Sequence, residues 1–191
     1  MSFEMEFETV ALLERSKAET RAVDAFALSF IKSERQLRRL FTYLVYQYPC
    51  FSYADANRLR EILAASRRVF ADGFITGFDA IYPNPIASLI GPKYVALQKS
   101  MTEAIAARHK IFHGQLTGRG LSREALWAQV ADIKEWCRLL SSAAKKEIGY
   151  DGFARDSFRK SQIPRLHERF KIQLKSATEY EEFVERVVTR A

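Results

Sequence analysis

Cysteine, glycine, proline and histidine are all scarce in this chain of 191 residues, and each scarcity excludes something. The two cysteines, Cys50 and Cys137, cannot build a disulfide framework, and no C-x-x-C spacing exists to hold a metal. They read as structural, and a reducing, cytoplasmic setting is the simplest expectation. Eight glycines and five prolines are too few for the many tight turns of a sandwich or barrel, which argues against an all-β fold. Long apolar runs are missing as well. The most apolar stretch, Gly73 to Gly91, carries Asp79, Pro83 and Pro85, so it cannot form an unbroken membrane-spanning helix of about 20 residues. The opening residues, Met1 to Glu8, are acidic and lack the basic-then-apolar order of a signal peptide. Walker loops, G-x-G-x-x-G, H-E-x-x-H and G-x-S-x-G are all absent, so most enzyme classes with a local signature are excluded.

What is present is enough for a packed core. Apolar residues make up 48% of a chain whose length suits one domain. Basic residues number 30 against 23 acidic, a net charge of +7. That balance favours an anionic partner, nucleic acid before a membrane surface, and the expectation is RNA and no membrane.

Apolar spacing predicts an all-α, antiparallel helical bundle of four to five main helices with a C-terminal helical extension. The first element runs from about Val10 to Tyr48, with Phe26, Phe30, Leu37, Phe41 and Leu44 on one face and a break expected near Ser33. Pro49 ends it. Ser52 with Asp55 marks a second start, for a helix carrying Ala56, Leu59 and Leu63 and extending towards Val69 and Phe70. A short helix is expected over Phe74 to Ile81, and a long one from about Lys93 to His113 with Gly114 as its C-terminal cap. Ser122 caps the next, which carries Leu126, Val130, Ile133, Trp136, Leu140 and Ala144 to about Ile148 before Gly149 stops it. Ile163, Leu166, Phe170 and Leu174 also fit a helix. Ser176 with Glu179 starts a last one, to about Val188. The organisation is therefore a bundle over 1–150, with a basic segment and C-terminal helix over 151–191 packed on the same domain.

Histidine is the informative residue, because there are three and two of them fall in Ala107-Arg108-His109-Lys110-Ile111-Phe112-His113-Gly114. On a helix, His113 lies about 7.5 Å along the axis from Arg108 and roughly 140° around it. Arginine offers a permanently charged fork suited to phosphate, and histidine exchanges a proton near neutral pH. These are parts for cleaving RNA through its own 2′-hydroxyl. A base deprotonates the hydroxyl, a cation steadies the pentacoordinate phosphorus, and an acid protonates the 5′-oxygen. A structural role competes with this reading, since a histidine at a helix end also makes a good cap. Spacing suggests no third ligand for a metal at His109 and His113, and neither metal nor cofactor is expected.

The stretch Ala107 to Gly114 strongly resembles the R-x4-6-H motif of the HEPN superfamily (higher eukaryotes and prokaryotes nucleotide-binding). In that family a polar residue often follows the arginine, here His109. The motif lies late in a long helix, often followed by glycine, a loop and another long helix. The likeness in helix order covers roughly Lys17 to Gly149, although its specific part is the eight motif residues. It implies a dimerising bundle in which two motifs meet at the two-fold interface as a composite ribonuclease site. Arg108, His113 and His109 would then be the catalytic residues, and the products a 2′,3′-cyclic phosphate and a 5′-hydroxyl. Many members are toxins or antiviral defence effectors, some with an antitoxin partner, and others have lost catalysis. Where members paired with nucleotidyltransferase antitoxins carry tyrosine two residues after the histidine, this chain has Gln115, so the likeness does not extend to modification there. The alternative is a non-catalytic helical module that binds RNA or protein.

The segment Phe153 to Lys175 carries seven basic residues against two acidic. Arg159, Lys160, Arg165 and Arg169, interleaved with Phe158 and Phe170, are a second RNA-binding candidate. The aromatics themselves fit the core better. Arg35, Arg38 and Arg39, and Arg67 with Arg68, read as ordinary surface charge. Trp136 reads as core, and Trp127 as core or dimer seam.

Overall fold

A computed structural model describes residues 3–66, 69–112, 122–154 and 157–189. The fold they make is an all-α helical bundle. Its helices are α1 (Phe3–Arg15), α2 (Arg21–Tyr46), α3 (Ala56–Ala65), α4 (Ala71–Ile81), α5 (Ile86–Ile90), α6 (Tyr94–Phe112), α7 (Arg123–Ile148) and α8 (Ala177–Phe183). Among the described residues no strand forms, and Val69 and Thr189 meet only in a lone antiparallel bridge. No helix among them is long and apolar enough to cross a membrane.

Helix α2 is the spine, packing against α1, α4 and α7. Its apolar positions Phe26, Phe30, Leu37, Leu40, Phe41 and Leu44 are all buried. The expected break near Ser33 does not occur. The Ser33 hydroxyl donates to the Phe30 carbonyl at 2.7 Å, so the polar side chain is satisfied within the buried helix face. The break falls instead between Arg15 and Arg21, and a separate helix, α1, begins at Phe3 where the sequence reading began at Val10. Glu6 explains why an acidic start folds down: it is 4% exposed and paired with both Lys32 and Arg35 of α2. Removing one member of a buried pair costs about 3–5 kcal/mol, so Glu6 pins α1 to the spine.

Helix α7 follows its sequence signals closely. The Ala125 amide donates to the Ser122 hydroxyl at 3.1 Å, and Gly149 closes the helix at φ 80°, a left-handed turn that suits a residue without Cβ. Trp136 is fully buried, while Trp127 is partly buried against the core. Ser52 and Asp55 also do what their spacing predicts, the carboxylate accepting from the Ser52 amide and hydroxyl at 2.8 Å each. Helix α3 stops at Ala65 and does not reach Val69 or Phe70, and α4 starts three residues earlier than expected, at Ala71.

The last forty residues wrap the bundle. The helix expected over 163–174 is absent: only Leu166–Arg169 forms a short 3₁₀ turn. Long-range hydrogen bonds replace helical ones. The Tyr48 hydroxyl donates to the Ile172 carbonyl at 2.9 Å, and the Lys171 amide to the Ile81 carbonyl at 2.9 Å. Helix α8 starts where Ser176 and Glu179 predict, the Glu179 amide donating to the Ser176 hydroxyl at 3.2 Å, and runs into a π-turn over Val184–Val188. Phe41 of α2 joins these layers, its ring centre 5.8 Å from Phe74, 6.3 Å from Tyr180 and 6.4 Å from Phe183.

Candidate functional site

Helix α6 carries the histidine-bearing motif. Its buried stripe is Leu97, Met101, Ala104 and Ala107, three and four residues apart, with small alanines at the C-terminal end. Ser100 fixes its roll, donating to the Asp132 carboxylate of α7 at 2.7 Å. Next to the buried Ala107, Arg108 lands at the edge of the packed face with 35% of its side chain exposed. Its guanidinium lies 3.9 Å from the Glu34 carboxylate of α2 and 5.5 Å from the Phe30 ring centre. Burial raises the Glu34 carboxyl above the ordinary range, against the opposing pull of Arg108 and Arg38. His109 is exposed on the same helix. His113, Gly114 and Gln115 lie outside the described residues, as do Arg67, Arg68 and Arg155.

Glu34 leads from the motif into a cleft of about 690 Å³. One wall is α2, presenting Glu34, Arg35, Arg38, Arg39 and Thr42, and Arg60 of α3 faces in as well. Arg35, Arg38, Arg39 and Thr42 fall at i, i+3, i+4 and i+7 and therefore share one face, opposite the buried Leu37, Leu40, Phe41 and Leu44. Read as ordinary surface charge, Arg35 and Arg39 are instead part-buried and tied into the fold, while Arg38 is exposed as expected. With Arg60 they set four guanidinium groups against one carboxylate among the lining residues.

These arginines are held to different degrees. Arg35 pairs with Glu6, and burial lowers its pKa first, with Arg39 and Arg38 adding to the effect. Arg39 donates to the Phe153 carbonyl at 3.0 Å. Arg60 donates to the Asn57 side chain at 2.9 Å and lies 4.3 Å from the Phe158 ring centre. Arg38 is exposed and donates no hydrogen bond to the described residues. The opposite wall is apolar, with Leu63, Ala64, Val69, Phe70 and Phe74.

Of the four basic residues singled out in the tail, Lys160 is tied into the fold by its side-chain hydrogen bonds. Lys160 donates to the Tyr46 and Tyr48 carbonyls at 2.5 and 2.8 Å, tying off the C-terminal end of α2, and burial lowers its pKa. Arg159 stands 5.9 Å from the Tyr150 ring centre. Arg165 adopts a left-handed φ of 51° and reaches Glu168 at 3.6 Å. Arg169 is exposed beside Tyr82, whose hydroxyl burial raises against the pull of that arginine. Phe158 and Phe170 are buried, as core aromatics should be. Cys137 is buried, and the Cys50 thiol lies 3.2 Å from the Leu174 carbonyl. Among the described residues no three His, Cys, Asp or Glu gather as a metal site.

Compared with known proteins, the chain matches no family model, no curated protein and no solved structure at a significant level. The class defined by fold and site is thus an all-α bundle with an arginine-lined cleft beside a motif arginine.

Proposed function

We propose that the chain is a metal-independent endoribonuclease of HEPN type, acting as a homodimer in which two motifs form one composite site. The observation that carries this reading is Arg108, one-third exposed late on α6 where a phosphate can reach it, beside a cleft rich in arginine. His113 transfers the proton, Arg108 clamps the phosphate, and His109 orients the pair or the scissile group. Two subunits supply the base and the acid that one motif cannot. A toxin or antiviral role, and an antitoxin or other protein partner, belong to the same proposal.

The four-arginine cleft supports a second reading, because it can hold an anionic partner without any proton transfer. In that reading the chain is a non-catalytic RNA- or protein-binding module. Incubating the purified protein with total RNA in EDTA separates the two. Fragments ending in 2′,3′-cyclic phosphate and 5′-hydroxyl support the nuclease, and intact RNA in a retained complex supports the module.

A further inference from the structure

The cleft between α2, α3 and the start of α4 has one property that a surface groove for a long strand does not need: positive charge concentrated in a small volume. Its four arginines face one carboxylate within about 690 Å³, a volume in the range that encloses a single small ligand. Arg35, Arg38 and Arg39 sit three and four residues apart on one helix face, where like charges repel. Glu6 offsets Arg35, and Glu34 stands between Arg38 and Arg108. Arg38, Arg39 and Arg60 line the same cleft, Arg39 also donating to the Phe153 carbonyl and Arg60 to the Asn57 side chain. Among the described residues of the lining every basic one is arginine and none is lysine, which favours planar, two-pronged oxygen groups over a diffuse anion.

Charge selects the ligand further. A backbone phosphodiester brings one negative charge, whereas a terminal phosphate brings about 1.5 to 2 near neutral pH. Among the described residues, the surplus of two positive charges, four arginines less Glu34 and Glu6, is better met by the dianion. The facing wall is apolar and ends at Phe70, 43% exposed. An apolar wall there suits the face of a base.

We propose that this cleft binds the 5′-phosphate of a nucleotide, with Arg38, Arg39 and Arg60 on the phosphate and the base against the apolar wall at Leu63 and Val69. The phosphate comes either from a free mononucleotide or from the phosphorylated end of an RNA. The inference does not rest on the nuclease reading, because it uses neither Arg108 nor His113 and concerns binding alone.

The test is titration of the full-length protein at low salt with adenosine 5′-monophosphate, adenosine, inorganic phosphate, and a 2′-O-methyl tetranucleotide with or without 5′-phosphate. Methylation blocks cleavage, so binding is read by itself. The 5′-phosphate should improve affinity at least about tenfold, the order of two charge-assisted hydrogen bonds. That advantage should vanish in the double variant Arg38→Gln, Arg60→Gln, with melting temperature and helical signal retained. It should also weaken below about pH 6, where the phosphate takes up its second proton. Binding of the monophosphate identifies the free nucleotide as a source, and binding of the phosphorylated tetranucleotide alone identifies an RNA end. Equal affinity for phosphorylated and unphosphorylated probes, or an advantage that survives in the double variant, would overturn the proposal. Inorganic phosphate binding as tightly as the monophosphate would overturn the assignment of the apolar wall.

Discussion

Arg108 of α6 and Glu34 of α2 stand 3.9 Å apart, and this pair is the link between the histidine-bearing motif and the arginine-lined cleft. Both side chains are about one-third exposed, so the pair contributes at most about 1 kcal/mol to stability. Its effect on charge state is easier to read. Burial raises the Glu34 carboxyl, and Arg108 holds it down. Arg108→Ala should therefore raise the Glu34 pKa further, observable by carbon-13 titration of that carboxyl. No upward movement would show that the two groups are not coupled.

The same carboxyl predicts a pH dependence. Its folded pKa lies above the ordinary value near 4.5, so the contribution is full below that value and is lost as pH rises through the folded value. Glutamine imitates the protonated form at every pH. Melting wild type and Glu34→Gln at pH 4 and pH 8 should show the variant gaining relative to wild type at the higher pH. The opposite trend would mean that ion pairing outweighs burial at Glu34.

Lys160 separates a structural lysine from an RNA contact. Its ammonium ties two carbonyls at the end of α2, so Lys160→Met should cost about 1–3 kcal/mol. For a chain of this size that lowers the melting temperature by roughly 2–12 °C. Arg169→Gln, at an exposed site, should leave the melting temperature nearly unchanged. Any RNA affinity retained by folded Lys160→Met at moderate temperature would then come from elsewhere, and the cleft is the expected source.

Gly77 tests the packing of α4 against the spine. A Cβ there would lie 2.7 Å from a ring carbon of Phe41 and 3.0 Å from Val188 Cγ2. Phe41 is fully buried and has no room to turn, so Gly77→Ala should destabilise by about 1–3 kcal/mol despite alanine's better helix propensity. An unchanged or raised melting temperature would show that this contact can relax.

How much of this was legible in the sequence depends on the range of the forces involved. Helix α7 was readable at both ends, because Ser122 and Gly149 act on backbone groups within four residues. The break between α1 and α2 was not. Across it Glu6 meets Lys32 and Arg35, a contact that apolar spacing does not record. The 163–174 segment has helical apolar spacing but is held in an irregular course around one 3₁₀ turn by partners such as Tyr48 and Ile81, more than eighty residues away. The cleft was half visible. The i, i+3, i+4 spacing of Arg35, Arg38 and Arg39 gives a shared face, but only the packing of α3 and α4 brings up Arg60 and the apolar wall. Arg108 was identified from its motif, and its partner Glu34 lies on a helix that no local pattern connects to α6.

The proposed composite site requires two copies of the chain. Light scattering at micromolar concentration should give a dimer, with a seam near residues 105–116. A strictly monomeric particle would count against it.

The most direct measurement compares wild type, His113→Ala, Arg108→Ala and Arg108→Lys as RNA-cleaving enzymes in EDTA, with melting temperatures taken on the same preparations. His113→Ala should lose about 10²–10⁴-fold in rate, as expected for a group that transfers a proton in the rate-limiting step. Arg108→Ala should lose a comparable amount, and Arg108→Lys should recover little, because a point charge does not replace a two-pronged clamp. Melting temperatures should stay within a few degrees of wild type, and RNA carrying 2′-O-methyl groups should remain intact. Full activity in folded His113→Ala, or cleavage of the methylated RNA, would contradict the account.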